Sequence, residues 1–437
     1  MKYLLGSLVL ACTSLAASAA PRGLFIDDAD IARLRANAQN AADSGVRSSY
    51  SSLSGLAQGA LDDVADPFTV ANMGALKYNW CSSDSDGVDN SLADAQRHIE
   101  AQSHAVRNLA LQYAVTQDAQ YGNKALALMK AWAATHTPVN LYDFNINFQA
   151  GSLDGMTTGS CSDRPWNFAL DAMWQGYGLV NMSDAYLLLS RNGFTISDAD
   201  NTLLRAWILK MSQAVNSSHH AWTKWADAHT NSSVFERYRV DNHLSWSNLA
   251  ILATGVALDD QNQINYVLTG GSWNDQRSGA YANPSPILYV INGAIEANGR
   301  VYEERINRDP PIGYSFFHLQ PMTLIARIDE VLGRGQVWRY KGTDGAGLQE
   351  AFAHLQPYIM GTPSGSAEGN LTNHAWLYFF ANHWWPNVTG FADAKARASA
   401  TQSVQQTAGP VTFLFKQLGT AAVEAKKPMP PVITVDP

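Results

Sequence analysis

Apolar residues recur at three- and four-residue spacing along most of this chain of 437 residues. In the clearest segment, residues 94–115, Ile99, Val106 and Leu109 belong to one apolar face, as in an amphipathic helix. Segments with the same helical character are residues 26–64, 121–134, 166–189, 198–215, 241–258, 287–297, 321–332, 347–359, 371–380 and 392–418. Few segments alternate strictly between apolar and polar residues, so the pattern predicts an all-α protein.

The predicted helices are similar in length and follow one another in hairpin-like pairs. Two architectures fit such a series, an open solenoid and a closed α/α toroid. The chain shows no fixed short repeat of the kind that solenoids carry, which favours an (α/α) toroid or incomplete barrel of helical hairpins. We expect one domain over residues 21–425, followed by a proline-rich tail at 426–437.

The N-terminus has the organisation of a signal peptide. Lys2 precedes an apolar run over residues 3–11, and the small residues at 17–20 form a cleavage site. A lipoprotein signal ending at Cys12 is the alternative, although the bulky Leu10 fits it poorly. No later stretch approaches the roughly 18 continuous apolar residues of a membrane span. The sequence therefore predicts a signal peptide over residues 1–20 and a secreted or periplasmic protein.

Charge and cysteine content bear on the binding partners and on disulfide formation. The net charge of −8 and the pI near 5.7 exclude a broad nucleic-acid-binding surface. After removal of the signal peptide, Cys81 and Cys161 remain, both in loops rich in Ser, Asp and Gly. An oxidising compartment favours a disulfide between them, and two separate buried thiols are the alternative.

Several common catalytic motifs are absent. The chain has no GxxxxGK[ST], no GxGxxG opening a helix after a strand, no HExxH, no CxxC and no GxSxG. The sequence therefore lacks the motifs that are typical of nucleotide hydrolases, zinc proteases and serine hydrolases. Residues 84–89 resemble a calcium loop but lack its terminal Glu, so they are interpreted as a solvated loop. We expect neither a metal nor a cofactor.

Two segments place polar residues on otherwise apolar helices. The first, at 237–246, carries Asn242 and His243 in the first turn of a helix. The second, at 300–318, carries Arg308 and Tyr314. Taken singly, these residues have ordinary structural interpretations: a helix cap, a satisfied histidine, a surface arginine and a core tyrosine. Together and in this order they predict an active site.

The ordered motifs resemble a known family. An Asn-His pair before a Trp-bearing helix, followed by an Arg–Tyr pair in Tyr-Ser-Phe-Phe-His-Leu, is similar to the alginate lyase superfamily of α/α-toroid polysaccharide lyases. The helices over residues 109–137 resemble that family's early helices, and the similarity spans residues 78–332. Two departures are visible. Asp241 stands where members often have Asn, and the variable Arg-to-Tyr spacing makes Arg305 an alternative to Arg308.

The resemblance implies β-elimination at a uronic acid. Removing the C5 proton builds negative charge on the adjacent carboxylate, which Asn242 and His243 would neutralise by hydrogen bonding. Tyr314 would take the C5 proton and protonate the leaving O4, with Arg308 stabilising its phenolate form. This single-residue scheme requires both groups on one side of the ring, as in mannuronate and glucuronate. In guluronate they lie on opposite sides, and His243 would be the base.

Further residues are candidates for binding an anionic polysaccharide, either by stacking on sugar rings or by pairing with carboxylates. They are Tyr78, Trp80, Arg164, Trp166, Arg239, Trp246, Arg305 and His318. Core packing or surface ion pairing is the alternative for each. We expect a monomeric lyase acting on poly-mannuronate, with glucuronan the next choice.

The sequence is also compatible with two other classes of protein. A toroid glycoside hydrolase would need a carboxylate pair, for which the candidates are Asp143, Asp154, Asp163, Asp171 and Glu303. A non-catalytic carbohydrate-binding protein would use the same aromatic residues without needing Tyr314.

Overall fold

The computed structural model describes residues 21–67, 91–136, 138, 166–228, 240–270, 272–275, 279–282, 286–361, 368, 371–404 and 409–421. The predicted signal peptide, both cysteines of the predicted disulfide and the proline-rich tail lie outside these residues. None of the helices described is long and apolar enough to cross a membrane.

Helices dominate the described residues. They are α1 (Asp28–Asn40), α2 (Ser44–Gly59), α3 (Ser91–Thr116), α4 (Ala119–Thr135), α5 (Trp166–Ser190), α6 (Asp198–Ala228), α7 (Asn242–Leu258), α8 (Gln261–Leu268), α9 (Ile287–Ala294), α10 (Tyr302–Arg305), α11 (Pro311–Val331), α12 (Gln336–Arg339), α13 (Leu348–Met360), α14 (Tyr378–Trp384), α15 (Phe391–Ala396) and α16 (Val411–Phe415). Short 3-10 helices cover Ala60–Asp62 and Thr372–Leu377. Two antiparallel hairpins pair β1 (Ser272–Asp275) with β2 (Gly279–Ala282) and β3 (Ser403–Val404) with β4 (Gly409–Pro410).

The long helices form two layers. In the inner layer α3 packs on α5, α5 on α7 and α7 on α11. In the outer layer α4 packs on α3, α6 on α5 and α7, and α8 on α7. Each outer helix follows an inner helix directly along the chain, as helical hairpins require. This is the predicted all-α architecture, an incomplete toroid of helical hairpins.

Helix α7 lies at the centre of the molecule. Every residue from Asn242 to Ala257 is buried, so the helix has no solvent-facing side. A helix that is enclosed on all sides must be apolar along most of its length, and α7 is apolar from Leu249 onward except at Thr254. Its polar residues are concentrated in the first two turns, at the end where the candidate site lies.

Several predicted helices have different boundaries in the structure. Residues 26–64 form two helices because Asp43 caps a second start with its side chain at Val46 N. Helix α11 begins at Pro311 and runs through Pro321, which was predicted to be its start. Packing of its buried face outweighs the hydrogen bond that Pro321 cannot donate. Residues 392–418 are divided into α15, the β3–β4 hairpin and α16.

Candidate active site

The first turn of α7 presents Asn242 and His243. Asp241 is the N-cap: its backbone is extended and its side chain accepts from Leu244 N at 3.3 Å. The other carboxylate oxygen contacts His243 Nδ1 at 2.7 Å. One short side chain therefore both begins the helix and orients the imidazole ring.

The carboxylate of Asp241 is fully buried, yet it is held in the ionised form. Burial acts to raise the pKa of Asp241, but its electrostatic interaction and hydrogen bond with His243 and the charge of Arg308 outweigh it, so this pKa lies below its usual value. An ionised carboxylate at Nδ1 fixes the orientation of the His243 ring.

A second buried carboxylate, Glu303, lies in the short helix α10. Its Oε1 accepts from the backbone N of Asn242 at 3.0 Å and from Asn242 Nδ2 at 2.7 Å. Burial, reinforced by the negative charge of Asp241, raises the pKa of Glu303 above its usual value. Glu303 therefore joins the segment before α11 to the first turn of α7.

Arg308 and Tyr314 are placed together by the connection from α10 to α11. The backbone N–H of Arg308 donates to Glu303 O at 3.0 Å, which turns the chain back on itself. A cis bond joins Asp309 to Pro310, and Pro311 then begins α11. The Arg308 Cζ atom lies 4.3 Å from the centroid of the Tyr314 ring, a cation–π contact. Both side chains are partly exposed, whereas Asn242 and His243 are buried.

His318 lies one turn after Tyr314 and joins α11 to α7. Its Nε2 contacts Ser245 Oγ at 2.8 Å, and its Nδ1 lies 3.8 Å from Glu303 Oε1. The side chain is fully buried, and burial lowers the pKa of His318 to about 3. The residue is therefore neutral and lies behind Tyr314, in the contact between the two helices.

Trp246, another predicted binding residue, lies in the core beneath the site. Trp246 is buried, and its ring packs on Tyr177 and Phe317 with centroid distances of 4.8 and 5.2 Å. Phe317 in turn meets the Tyr314 ring edge-on, so Trp246 supports the site from inside the core.

Arg305 is directed toward helix α9. Its Nη2 donates to Gly293 O at 3.2 Å, and its guanidinium lies 4.7 Å from the Tyr302 ring centroid. Of the two arginines that the sequence left open, Arg308 is the one beside Tyr314.

The remaining predicted binding residues cannot be placed. Tyr78, Trp80, Arg164 and Arg239 lie outside the described residues, and for Trp166 only the backbone position at the start of α5 is described. Of the carboxylates considered for a hydrolase, only Glu303 has a described side chain. Among the described residues no three His, Cys, Asp or Glu side chains are arranged to hold a metal ion.

Sequence reasoning missed three carboxylates that support the site. Asp241 was noted only as a departure from the family pattern, and Glu303 only as a candidate for a hydrolase pair. Glu368 accepts from the backbone N–H groups of Ile312 and Gly313 at 2.7 and 2.6 Å, at the start of α11. The acidic position directly before Asn242 was a usable local signal, whereas the other two act across distant parts of the chain.

Comparison with known proteins identifies the family. The family model for alginate lyase matches residues 56–365, which is more than half of the chain. The chain therefore belongs to the alginate lyase family and is a polysaccharide lyase. No match to a curated protein sequence is found.

Solved structures show the same fold. Alginate lyase A1-III from Sphingomonas species A1 matches with a TM-score of 0.58 and 13% identity, covering 92% of this chain and 97% of that chain. A histidine-to-alanine variant of A1-III complexed with tetrasaccharide matches with a TM-score of 0.56 and 13% identity, covering 90% and 94%. A tyrosine-to-phenylalanine variant, also complexed with tetrasaccharide, gives 0.57 and 13%, covering 92% and 97%.

Proposed function

We propose that this lyase cleaves poly-mannuronate by β-elimination, with Tyr314 as both base and acid. The observation that carries the proposal is the position of the Arg308 guanidinium, 4.3 Å from the Tyr314 ring centroid. Glu303 links this pair directly to Asn242, since it contacts both Arg308 and the Asn242 amide. The guanidinium that contacts the Tyr314 ring and the amide that can bind a carboxylate are therefore joined through one side chain.

The reaction needs charge neutralisation before proton transfer. Loss of the C5 proton places negative charge on the uronate carboxyl group, and fixed donors stabilise that charge without having to reorganise. Asn242 and His243 have this role in our proposal, because Glu303 and Asp241 hold their side chains in place. Tyr314, in its phenolate form, then takes the C5 proton, and the hydroxyl so formed donates that proton to O4 as the C4–O4 bond breaks and the C4–C5 double bond forms.

The choice of alginate rests on family membership. Within alginate, mannuronate fits the single-residue scheme, because its C5 proton and O4 lie on one side of the ring. Glucuronan is the second candidate, because mannuronate and glucuronate share their geometry at C4 and C5. The two acidic residues at this site do not form a hydrolase pair: Asp241 and Glu303 are both fully buried and contact His243 and Asn242. We further propose that the protein is exported by its N-terminal signal peptide.

Ultraviolet absorbance tests the proposal directly. β-Elimination leaves a C4–C5 double bond conjugated to the carboxylate, whereas hydrolysis does not. The protein is incubated separately with poly-mannuronate, poly-guluronate, glucuronan and pectate. A rise on poly-mannuronate is expected. A rise only on another polymer would replace the substrate, and new reducing ends without absorbance would contradict β-elimination.

Replacing Tyr314 by Phe tests the assigned base. We expect Tyr314→Phe to lower kcat by roughly a hundredfold to ten-thousandfold with little change in oligosaccharide binding, since only the hydroxyl is lost. Tyr121→Phe is the matched control, because Tyr121 lies in α4 and its hydroxyl donates to Gln58 of α2 at 3.1 Å. Retention of wild-type turnover in Tyr314→Phe would remove this residue from the mechanism.

A further inference from the structure

One carboxylate contacts three of the polar groups at the site. Glu303 is fully buried, and its Oε1 accepts from both the backbone and the side chain of Asn242. Its Oε2 lies 3.6 Å from Arg308 Nη1, and its Oε1 lies 3.8 Å from His318 Nδ1. Groups from α7, α11 and the connecting segment therefore converge on a single side chain.

The polar atoms around Glu303 are unusual because they are buried but not hydrogen-bonded. Within the described part of the chain this holds for Asn242 Oδ1, Glu303 Oε2, Arg308 Nη1 and His318 Nδ1. Buried polar atoms almost always have a partner, so a group of such atoms is expected where function requires it. The 3.6 Å separation places Arg308 in an ion pair with Glu303 but does not lock it there by a hydrogen bond.

The contact with Asn242 determines the orientation of its amide. The Nδ2 group donates to Glu303 at 2.7 Å. Turning the amide over would place Oδ1 against the carboxylate, where two acceptors repel each other. One N–H of Asn242 is therefore committed to Glu303, and the direction of the second N–H is set before any substrate binds.

We propose that Glu303 is a positioning residue for the elimination: it orients the Asn242 amide and holds the Arg308 guanidinium beside Tyr314. The inference rests on the function proposed above, since it assigns Asn242 to the uronate carboxylate. Glu303 itself is buried beneath these groups and acts through them.

The buried charge is poorly suited to a purely stabilising role. Burial and the charge of Asp241 raise the pKa of Glu303, so the folded state binds its proton more tightly than the unfolded state does. Such a group contributes most to stability at low pH, and that contribution is lost as the pH rises through the folded pKa. Near neutral pH an amide at position 303 should therefore leave the melting temperature unchanged or raise it.

The experiment compares Glu303→Gln with Glu304→Gln. The control removes the same charge one position away, where Glu304 contacts Arg300 and His354 instead of the site. We expect Glu303→Gln to lower kcat by roughly a hundredfold, as for a misplaced catalytic group, with little change in KM and no fall in melting temperature. Glu304→Gln should retain turnover within a few-fold of wild type.

A double-mutant cycle identifies the route of the effect. Because Glu303 acts partly through Asn242, its replacement should lower kcat much less in an Asn242→Ala background than in the wild type. Equal losses in both backgrounds, unchanged kcat in Glu303→Gln, or a fall in kcat matched by a fall in melting temperature would each overturn the proposal. Kinetics are measured on whichever polymer the wild type cleaves, so a wrong substrate is detected in the wild type and a wrong role only in the variant.

Discussion

At the scale of single residues, contacts separate side chains that look alike in sequence. Arg305 and Arg308 are three positions apart, and each has an acidic residue next to it in sequence, Glu304 before Arg305 and Asp309 after Arg308. Arg308 lies against Tyr314 and Glu303, whereas Arg305 lies against Tyr302 and the carbonyl of Gly293. Their different neighbours give them different expected effects on turnover.

Replacing each arginine by lysine tests this distinction. Arg308→Lys keeps the charge but loses the planar group that lies over Tyr314, so we expect kcat to fall by roughly a hundredfold. Arg305→Lys should leave kcat within a few-fold of wild type. The measurement is the initial rate of double-bond formation. The opposite ranking of the two variants would transfer the role to Arg305.

At the scale of elements, the site depends on where α7 and α11 begin. Both helices place polar residues in their first turn, and a carboxylate satisfies the free backbone N–H groups of each. Asp241 caps α7 from the adjacent position, whereas Glu368 reaches α11 from a distant part of the chain. Fixing these first turns fixes the side chains of Asn242 and Tyr314.

Removing the cap of α11 should affect both stability and turnover. Glu368→Ala leaves the N–H groups of Ile312 and Gly313 without this acceptor, which should lower the free energy of unfolding by about 1 kcal/mol. Because Tyr314 is in the same turn, kcat should also fall. The two quantities are measured by denaturant unfolding and by the absorbance assay.

Glu350→Ala is the matched control. Glu350 accepts from Gly347 N at 2.8 Å and caps α13, a helix that carries none of the proposed catalytic residues. We expect a similar loss of stability with unchanged kcat. If both variants lose activity in proportion to stability, the cap of α11 has no particular link to catalysis.

At the scale of the whole molecule, buried histidines determine the response to acid. Burial lowers the pKa of four histidines, to about 4 for His104 and His374 and to about 3 for His136 and His318. The unfolded chain binds protons at these positions from the usual pKa of 6.5 downward, while the folded protein does not. Stability is therefore present above pH 6.5 and is lost as the pH falls toward 4.

Melting temperature measured against pH checks this expectation. We expect a plateau near neutral pH and a fall below pH 6.5, with His136→Gln showing a shallower fall than wild type. Asp329 and Glu303 oppose the trend, because burial raises the pKa of both, to about 6 for Asp329, but they are two groups against four. A melting temperature that rises between pH 6.5 and 4 would contradict the assignment of neutral buried histidines.

The accuracy of the sequence-based predictions follows from the range of the interactions involved. Helix type was predictable because apolar spacing and capping residues act within a few positions, as in α3, α4 and α7. The start of α11 was not, because Pro321 is a local stop signal that long-range packing overrides. The division of residues 392–418 was missed for the same reason, since the β3–β4 hairpin interrupts a segment of helical composition.

The sequence by itself determined the all-α class and the polar first turn of α7, and it proposed Asn242, His243, Tyr314 and either Arg305 or Arg308 as candidate site residues. Each of these depends on residue type and local spacing. The tertiary structure alone decided that Glu303 contacts Asn242, 61 positions away, and that Arg308 rather than Arg305 lies on Tyr314. Such contacts depend on how the inner helices pack, and packing is a property of the whole chain, which no local pattern records.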